Sequence, residues 1–239
     1  MKKVLPRYLA VLLLTALVAC GEAPEEYAEQ AEIRRDLSRL HDAKERGDEA
    51  TLMAVSERLL ASKQTIGTVR ITPLIYRAEV LARHGKIEEV NALFDRQFPF
   101  VSKSTGGCGQ AVFISMKAEV WQNAGRMDLA VADYNAAIEK CPRLDNAYSK
   151  LSCIHSTAAD PKYIDVQKAL ALAQKALAIN TCSKSLDAIA AAQAKAGQYD
   201  LAVENMAKAI EAAEKERQHP AQIESFRQKR STYQSKAAK

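Results

Sequence analysis

Residues 196–210 read AGQYDLAVENMAKAI, and the apolar positions Tyr199, Ala202, Met206 and Ala209 fall at steps of three, four and three. That spacing draws one stripe along an α-helix. Residues 185–195 place Leu186, Ile189 and Ala190 on one face of an earlier helix, and Gly197 stands between the two. Helix, glycine turn and helix predict a hairpin. The pattern recurs in AGRMDLAVADYNAAI, where Gly125, Met127, Ala130, Tyr134 and Ala137 keep the same steps. It recurs again in HGKIEEVNALF, with Gly85, Ile87, Val90 and Phe94. Ala78, Ala118 and Ala190 each stand seven residues before their glycine. Small side chains there let two helices cross closely. A fourth copy is readable in its second helix, Val166, Ala169, Ala173 and Ala176, after Leu151 and Ser152 on the helix before it. Its turn is expanded into STAADPKY, and ERGDEATLMAVSERLL around Gly47 is a fainter fifth copy.

The last stretch, HPAQIESFRQKRSTYQSKAAK, has Pro220 to open a helix and Ile223, Phe226 and Tyr233 on one face. A stack of hairpins needs such a helix over its final edge. The expected fold class is therefore all-α, an α-solenoid of four to five helical hairpins over residues 28–218 with a basic C-terminal capping helix at 219–239.

Composition agrees with helix. Hydrophobic residues make up 48% and charged residues 26% of the 239, the balance of a folded chain, and only 6% are aromatic. With 9 Gly and 7 Pro, a β-rich chain of many tight turns is disfavoured. The formal charge is +5, of which Lys2, Lys3 and Arg7 lie in the first seven residues, so the remainder carries 5 − 3 = +2. That is too little to suggest nucleic-acid binding.

The hairpins resemble the tetratricopeptide repeat, whose period is about 34 residues. Gly85 to Gly125 is 40 residues and Gly125 to Gly197 is 72 across two repeats, the excess lying in VSKSTGGCG and STAADPKY. Gln97 stands where the family has a small residue. In this family the first helices of successive hairpins line a concave groove. The resemblance assigns to that groove Ser115, Glu119, Gln122 and Asn123 of one hairpin, Glu79 and Arg83 of an earlier one, and Lys184, Asp187 and Lys195 of the last. Their mixed charge suits a polar peptide or protein surface rather than phosphate or nucleic acid.

The chain opens MKKVLPRYLAVLLLTALVAC. A basic start precedes an apolar core of about 12 residues, the length of a signal peptide and short of the ~20 that span a bilayer. Leu17, Val18, Ala19 and Cys20 resemble the lipobox of bacterial lipoproteins. The resemblance implies a signal peptide over 1–19, cleavage before Cys20, a diacylglyceryl group on its sulfur and an acyl chain such as palmitate on its amino group. Gly21 follows where aspartate would favour retention in the inner membrane, so the resemblance favours the periplasmic face of the outer membrane. Residues 20–27, acidic and carrying Pro24, are expected to be the lipidated cysteine and a tether.

Four further cysteines, Cys108, Cys141, Cys153 and Cys182, are disulfide candidates in an oxidising compartment. Cys108 precedes the first helix of a hairpin and Cys141 ends its second, which favours that pair and leaves Cys153 with Cys182. Cys141 with Cys182 is the competing pair. Zinc is not expected: there is no CxxC, and Cys153 and His155 point about 200° apart on a helix. His41, His84, His155 and His219 are scattered, GGCG lacks a following lysine, and His155, Ser156 and Asp160 crowd one helix end. None makes a phosphate loop or a nucleophile with its base. The expected function is that of a non-catalytic scaffold or assembly factor with no cofactor and no metal. Its partners would be an envelope protein or peptide and the membrane that holds its anchor. The alternative is an adaptor for exopolysaccharide export or cell-wall synthesis.

Overall fold

A computed structural model describes residues 25–65, 68–101 and 108–238. The lipobox, Cys20 and the leader lie outside the described residues. The helices are α1 (Glu25–Arg46), α2 (Glu49–Ala61), α3 (Thr68–Arg83), α4 (Ile87–Val101), α5 (Gly109–Asn123) and α6 (Met127–Lys140). They continue with α7 (Asp145–Thr157), α8 (Val166–Ile179), α9 (Ser183–Lys195), α10 (Tyr199–Lys215) and α11 (Pro220–Ala237), with a 3₁₀ turn at Pro161–Tyr163. No strand occurs among the described residues. Helix α1 begins at Glu25, inside the stretch expected to be tether, as suits an acidic run at the positive end of a helix dipole.

The glycine turns share one mechanism. Gly125 has φ +75°, its N–H donates to the carbonyl of Gln122 at 3.1 Å, and the N–H of Arg126 donates to Trp121 at 2.8 Å. Two carbonyls at the end of α5 are thereby satisfied by a left-handed residue. The same pair of bonds follows α1, α3 and α9 at Gly47, Gly85 and Gly197. It also follows α10, where Arg217 takes the position at φ +54°.

The chain divides into two compact units, Met1–Arg77 and Ala78–Lys239, with the boundary inside α3. In the first unit Ile33, Leu40, Leu52, Val55, Leu59 and Leu74 are buried. Asp36 is buried with them and accepts from Arg58 Nε at 3.0 Å and Nη2 at 2.6 Å. Arg70, only 2% exposed, donates to the carbonyls of Leu60, Ser62 and Thr65, the free acceptors at and beyond the end of α2. Burial lowers the pKa of its guanidinium.

In the second unit the predicted alanine stripes are buried: Ala130 and Ala137 of α6, Ala169, Ala173 and Ala176 of α8, Ala202 and Ala209 of α10. Gln97 is buried in α4. Phe226 of α11 enters the cluster of Leu186, Ala190, Met206 and Ala213, with Ile223 and Tyr233 packed against it. The C-terminal helix thus covers α9 and α10 with the apolar residues read from its sequence. The expanded turn before α8 is pinned by His155, which is buried in α7. Its Nδ1–H donates to the carbonyl of Tyr163 at 2.8 Å, and its own carbonyl accepts from the N–H of Asp165 at 2.9 Å. Asp165 then caps α8 through the N–H of Lys168.

Cys108 and Cys141 are joined by a disulfide across the open end of the α5–α6 hairpin. Cys153 and Cys182 are free thiols, which corrects the expectation that they pair. Cys182 Sγ lies 3.9 Å from the carboxylate of Asp145, at the start of α7. Cys153 is eight residues further along that helix, ~12 Å at 1.5 Å per residue. A disulfide requires the two Cα atoms within about 7 Å.

Candidate functional site

In the second unit the first helices of the hairpins supply most of the walls of one recess. Neighbouring first helices are tied by polar contacts across their exposed faces. Asn123 Nδ2 of α5 donates to Glu79 of α3 at 3.0 Å. Lys150 of α7 pairs with Glu119 of α5. Lys229 of α11 donates to both oxygens of Asp187 on α9, at 2.7 and 2.8 Å.

Between these ties lies a cavity of ≈ 230 Å³. Its walls are Gln122 of α5, Asn146, Ser149, Lys150 and Cys153 of α7, Ser183, Lys184 and Asp187 of α9, and Gln218, Gln222 and Phe226 at the start of the capping helix. Gln122 is fixed by the Tyr134 hydroxyl, which donates to its Oε1 at 3.1 Å. Burial, with Glu119 nearby, pushes the pKa of the Tyr134 phenol well up, so it stays a donor. Burial also raises the Cys153 thiol to about 11, with Asp187 adding to it, which leaves the sulfur protonated and unreactive at neutral pH. At the far wall Glu216 accepts from the Ser183 N–H at 2.9 Å and its hydroxyl at 2.6 Å. Burial raises the Glu216 pKa, but these bonds and Gln218 outweigh it and hold the carboxyl below its usual range.

Of the residues assigned to the groove from sequence, Gln122, Lys184 and Asp187 line the cavity together. Glu119 and Asn123 stand on the same face through their bonds to Lys150 and Glu79. Arg83 and Lys195 are exposed at the ends of α3 and α9, away from the cavity walls. Ser115 is a correction. It is 4% exposed, and its hydroxyl has no hydrogen-bond partner. Ala111, Ser115 and Ala118 are all buried, at steps of four and three, so Ser115 belongs to the packing stripe of α5. Trp121 is likewise buried, its indole N–H donating to Asp133 at 3.0 Å. Burial raises the Asp133 pKa despite Lys117 at 3.4 Å.

Sequence reasoning missed Asn146, Ser149 and Lys150 entirely. The α7–α8 hairpin has no turn glycine, so nothing set the register of its first helix. Counting back from the capped start of α8 at Asp165 would not have set it either, because the intervening turn is irregular. No group of three or more potential metal ligands occurs among the described residues, and no described helix is long and apolar enough to cross a membrane.

A solved structure shares this arrangement of hairpins. It is described as a thermophilic TPR protein of Thermus thermophilus and is 16% identical, with a TM-score of 0.50. The match covers 87% of this chain and 100% of that one. The fold is a tetratricopeptide-like α-solenoid. No protein-family profile and no curated protein matches the sequence. In the tetratricopeptide-like frame, α5, α7 and α9 are first helices, and α11 takes the place of the next one.

Proposed function

We propose that the protein is a non-catalytic scaffold that holds a protein partner in the groove of α5, α7, α9 and α11. It would be anchored by a lipidated Cys20 to the periplasmic face of the outer membrane. The observation that supports the groove is the cavity itself, where four helices direct amides, hydroxyls and lysines into one recess. Such a recess of fixed polar groups is what a specific binding site presents. The reading of the anchor rests on the lipobox resemblance. The adaptor for exopolysaccharide is less well supported, because Phe226, the aromatic residue at the cavity, is 1% exposed and offers no ring face to a sugar.

Site-specific photocrosslinking in the native cell tests the reading. A crosslinking residue at Gln122 is expected to give one dominant protein adduct, while the same residue at exposed Glu88 on α4 gives none. Equal labelling at both positions, or no protein adduct at Gln122, would remove the groove as the binding surface.

A further inference from the structure

A half-buried polar network ties three helices of the second unit together. Asp133 of α6 accepts from the indole N–H of Trp121 on α5 at 3.0 Å and stands 3.4 Å from the ammonium of Lys117, also on α5. Both donors meet the same oxygen, Oδ2. Lys117 in turn donates to Oδ1 of Asn91 on α4 at 3.0 Å. The side chains of Lys117 and Asp133 are each 21% exposed. Alongside this network α4 and α5 meet through rings, Phe94 and Phe98 lying 4.9 and 5.5 Å from Phe113.

Lys117 is the charged group acting on Asp133 among the described residues. One turn away on α6 stand Leu129, Ala130, Ala136 and Ala137, all uncharged. On α4 Glu88 and Asp95 flank Asn91, and both are exposed. Burial pushes the Asp133 carboxyl up, and Lys117 and Trp121 only partly hold it down. Asp133 therefore takes up a proton at a pH above the ~3.9 of an unfolded aspartate. The unfolded chain binds that proton less readily, so in this window acid does not unfold the protein through Asp133. What changes is local. A neutral carboxyl still accepts from Trp121, but it leaves the Lys117 ammonium half-buried without its counter-ion. That is costly, and the long lysine stem lets the ammonium turn to water. Asn91 then loses its donor.

We propose that Lys117 is a proton-operated latch between α4 and α5, closed while Asp133 is ionised and open once Asp133 is protonated. The α5–α6 hairpin stays closed in both states, held by the Trp121 bond and by Cys108–Cys141. The phenylalanine contacts keep α4 on α5, so the step between them softens without coming apart.

The test is a pH titration of the ¹⁵N-labelled full chain in detergent micelles, from neutral pH downward, read by chemical shifts. Trp121 is the one tryptophan of the chain, so its indole signal is unambiguous. That signal is expected to titrate with a midpoint above ~3.9, and the side-chain amide of Asn91 to follow with the same midpoint. Protection of the α4 backbone amides against hydrogen exchange should fall roughly tenfold below it, as suits the loss of one charge-assisted hydrogen bond. Asp133→Asn should abolish the indole titration and hold the Asn91 amide at its acid position at neutral pH. Lys117→Gln leaves Asp133 in place and should raise the indole midpoint by about one pH unit, because the cation that favours the carboxylate is gone. An indole midpoint at or below ~3.9, or one unmoved by Lys117→Gln, overturns the latch. So does an indole titration that persists in Asp133→Asn, or an Asn91 amide that does not follow the indole. Loss of helical circular dichroism at the same midpoint also overturns it, since the protein would then be unfolding rather than unlatching.

Discussion

Arg217 occupies a position that four glycines fill elsewhere in the chain. Its φ of +54° and its bonds to the carbonyls at the end of α10 repeat the geometry at Gly125. A side chain in the left-handed region costs roughly 1–2 kcal/mol, and glycine gives back only about 0.5–1 kcal/mol in chain entropy. Arg217→Gly is therefore expected to stabilise the fold by about 0.5–1 kcal/mol. Gly125→Ala should lose ~1 kcal/mol by the same backbone term, since an added Cβ would meet no atom within 4 Å. Urea midpoints followed by far-UV circular dichroism measure both, and a lower midpoint for Arg217→Gly would refute the argument. The four glycine turns were legible because glycine advertises this backbone. Arg217 was not, because the stop there is set by Phe226 and α11 packing onto α10, which a local pattern does not carry. Ser115 was misplaced for a related reason: the α5 packing face takes in Ala111, Ser115 and Ala118 together, wider than the family assignment allows.

At the scale of helices, the open ends of three hairpins are closed by three different chemistries. The Cys108–Cys141 disulfide joins α5 to α6. Asn180 Nδ2 donates to Asp145 at 2.9 Å across α7 and α8. Glu216 accepts from Ser183 across α10 and α9. The covalent tie spans a sequence separation of 33, and so does the tie from Ser183 to Glu216. Closing a loop of that size removes unfolded-state entropy equivalent to roughly 3–4 kcal/mol. Replacing both Cys108 and Cys141 by serine is expected to cost about that much, read as a lower urea midpoint in non-reducing buffer. The parent protein treated with a dithiol reductant should fall to the same midpoint. An unchanged midpoint in both would mean that the bridge does not constrain the unfolded chain. Hairpin existence was readable from periodicity, which favoured Cys108–Cys141 but left Cys141–Cys182 as a competing pair until the structure joined the first two. The groove face of α7 was not, because His155 and Asp165 shape its turn through tertiary contacts rather than through a repeated residue.

For the molecule as a whole, the proposed anchor makes the sharpest demand. One acyl chain holds a protein only marginally, whereas chains on both the sulfur and the amino group of Cys20 would make dissociation negligible. Helix α1 starts at Glu25, so the four residues after Cys20 can extend at most ~14 Å at ~3.4 Å each. A groove protein held so close to lipid would meet partners at the membrane rather than in free solution. The mature chain should begin at Cys20 and carry radiolabelled palmitate, and it should sediment with outer-membrane fractions. Cys20→Ser should lose the label and leave those fractions, while the Gln122 photoadduct of a membrane-bound partner falls with it. A Cys20→Ser protein that stays in the outer-membrane fraction would show that attachment runs through something other than this cysteine. Palmitate on Cys20 in inner-membrane fractions would keep the anchor and overturn the sorting read from Gly21.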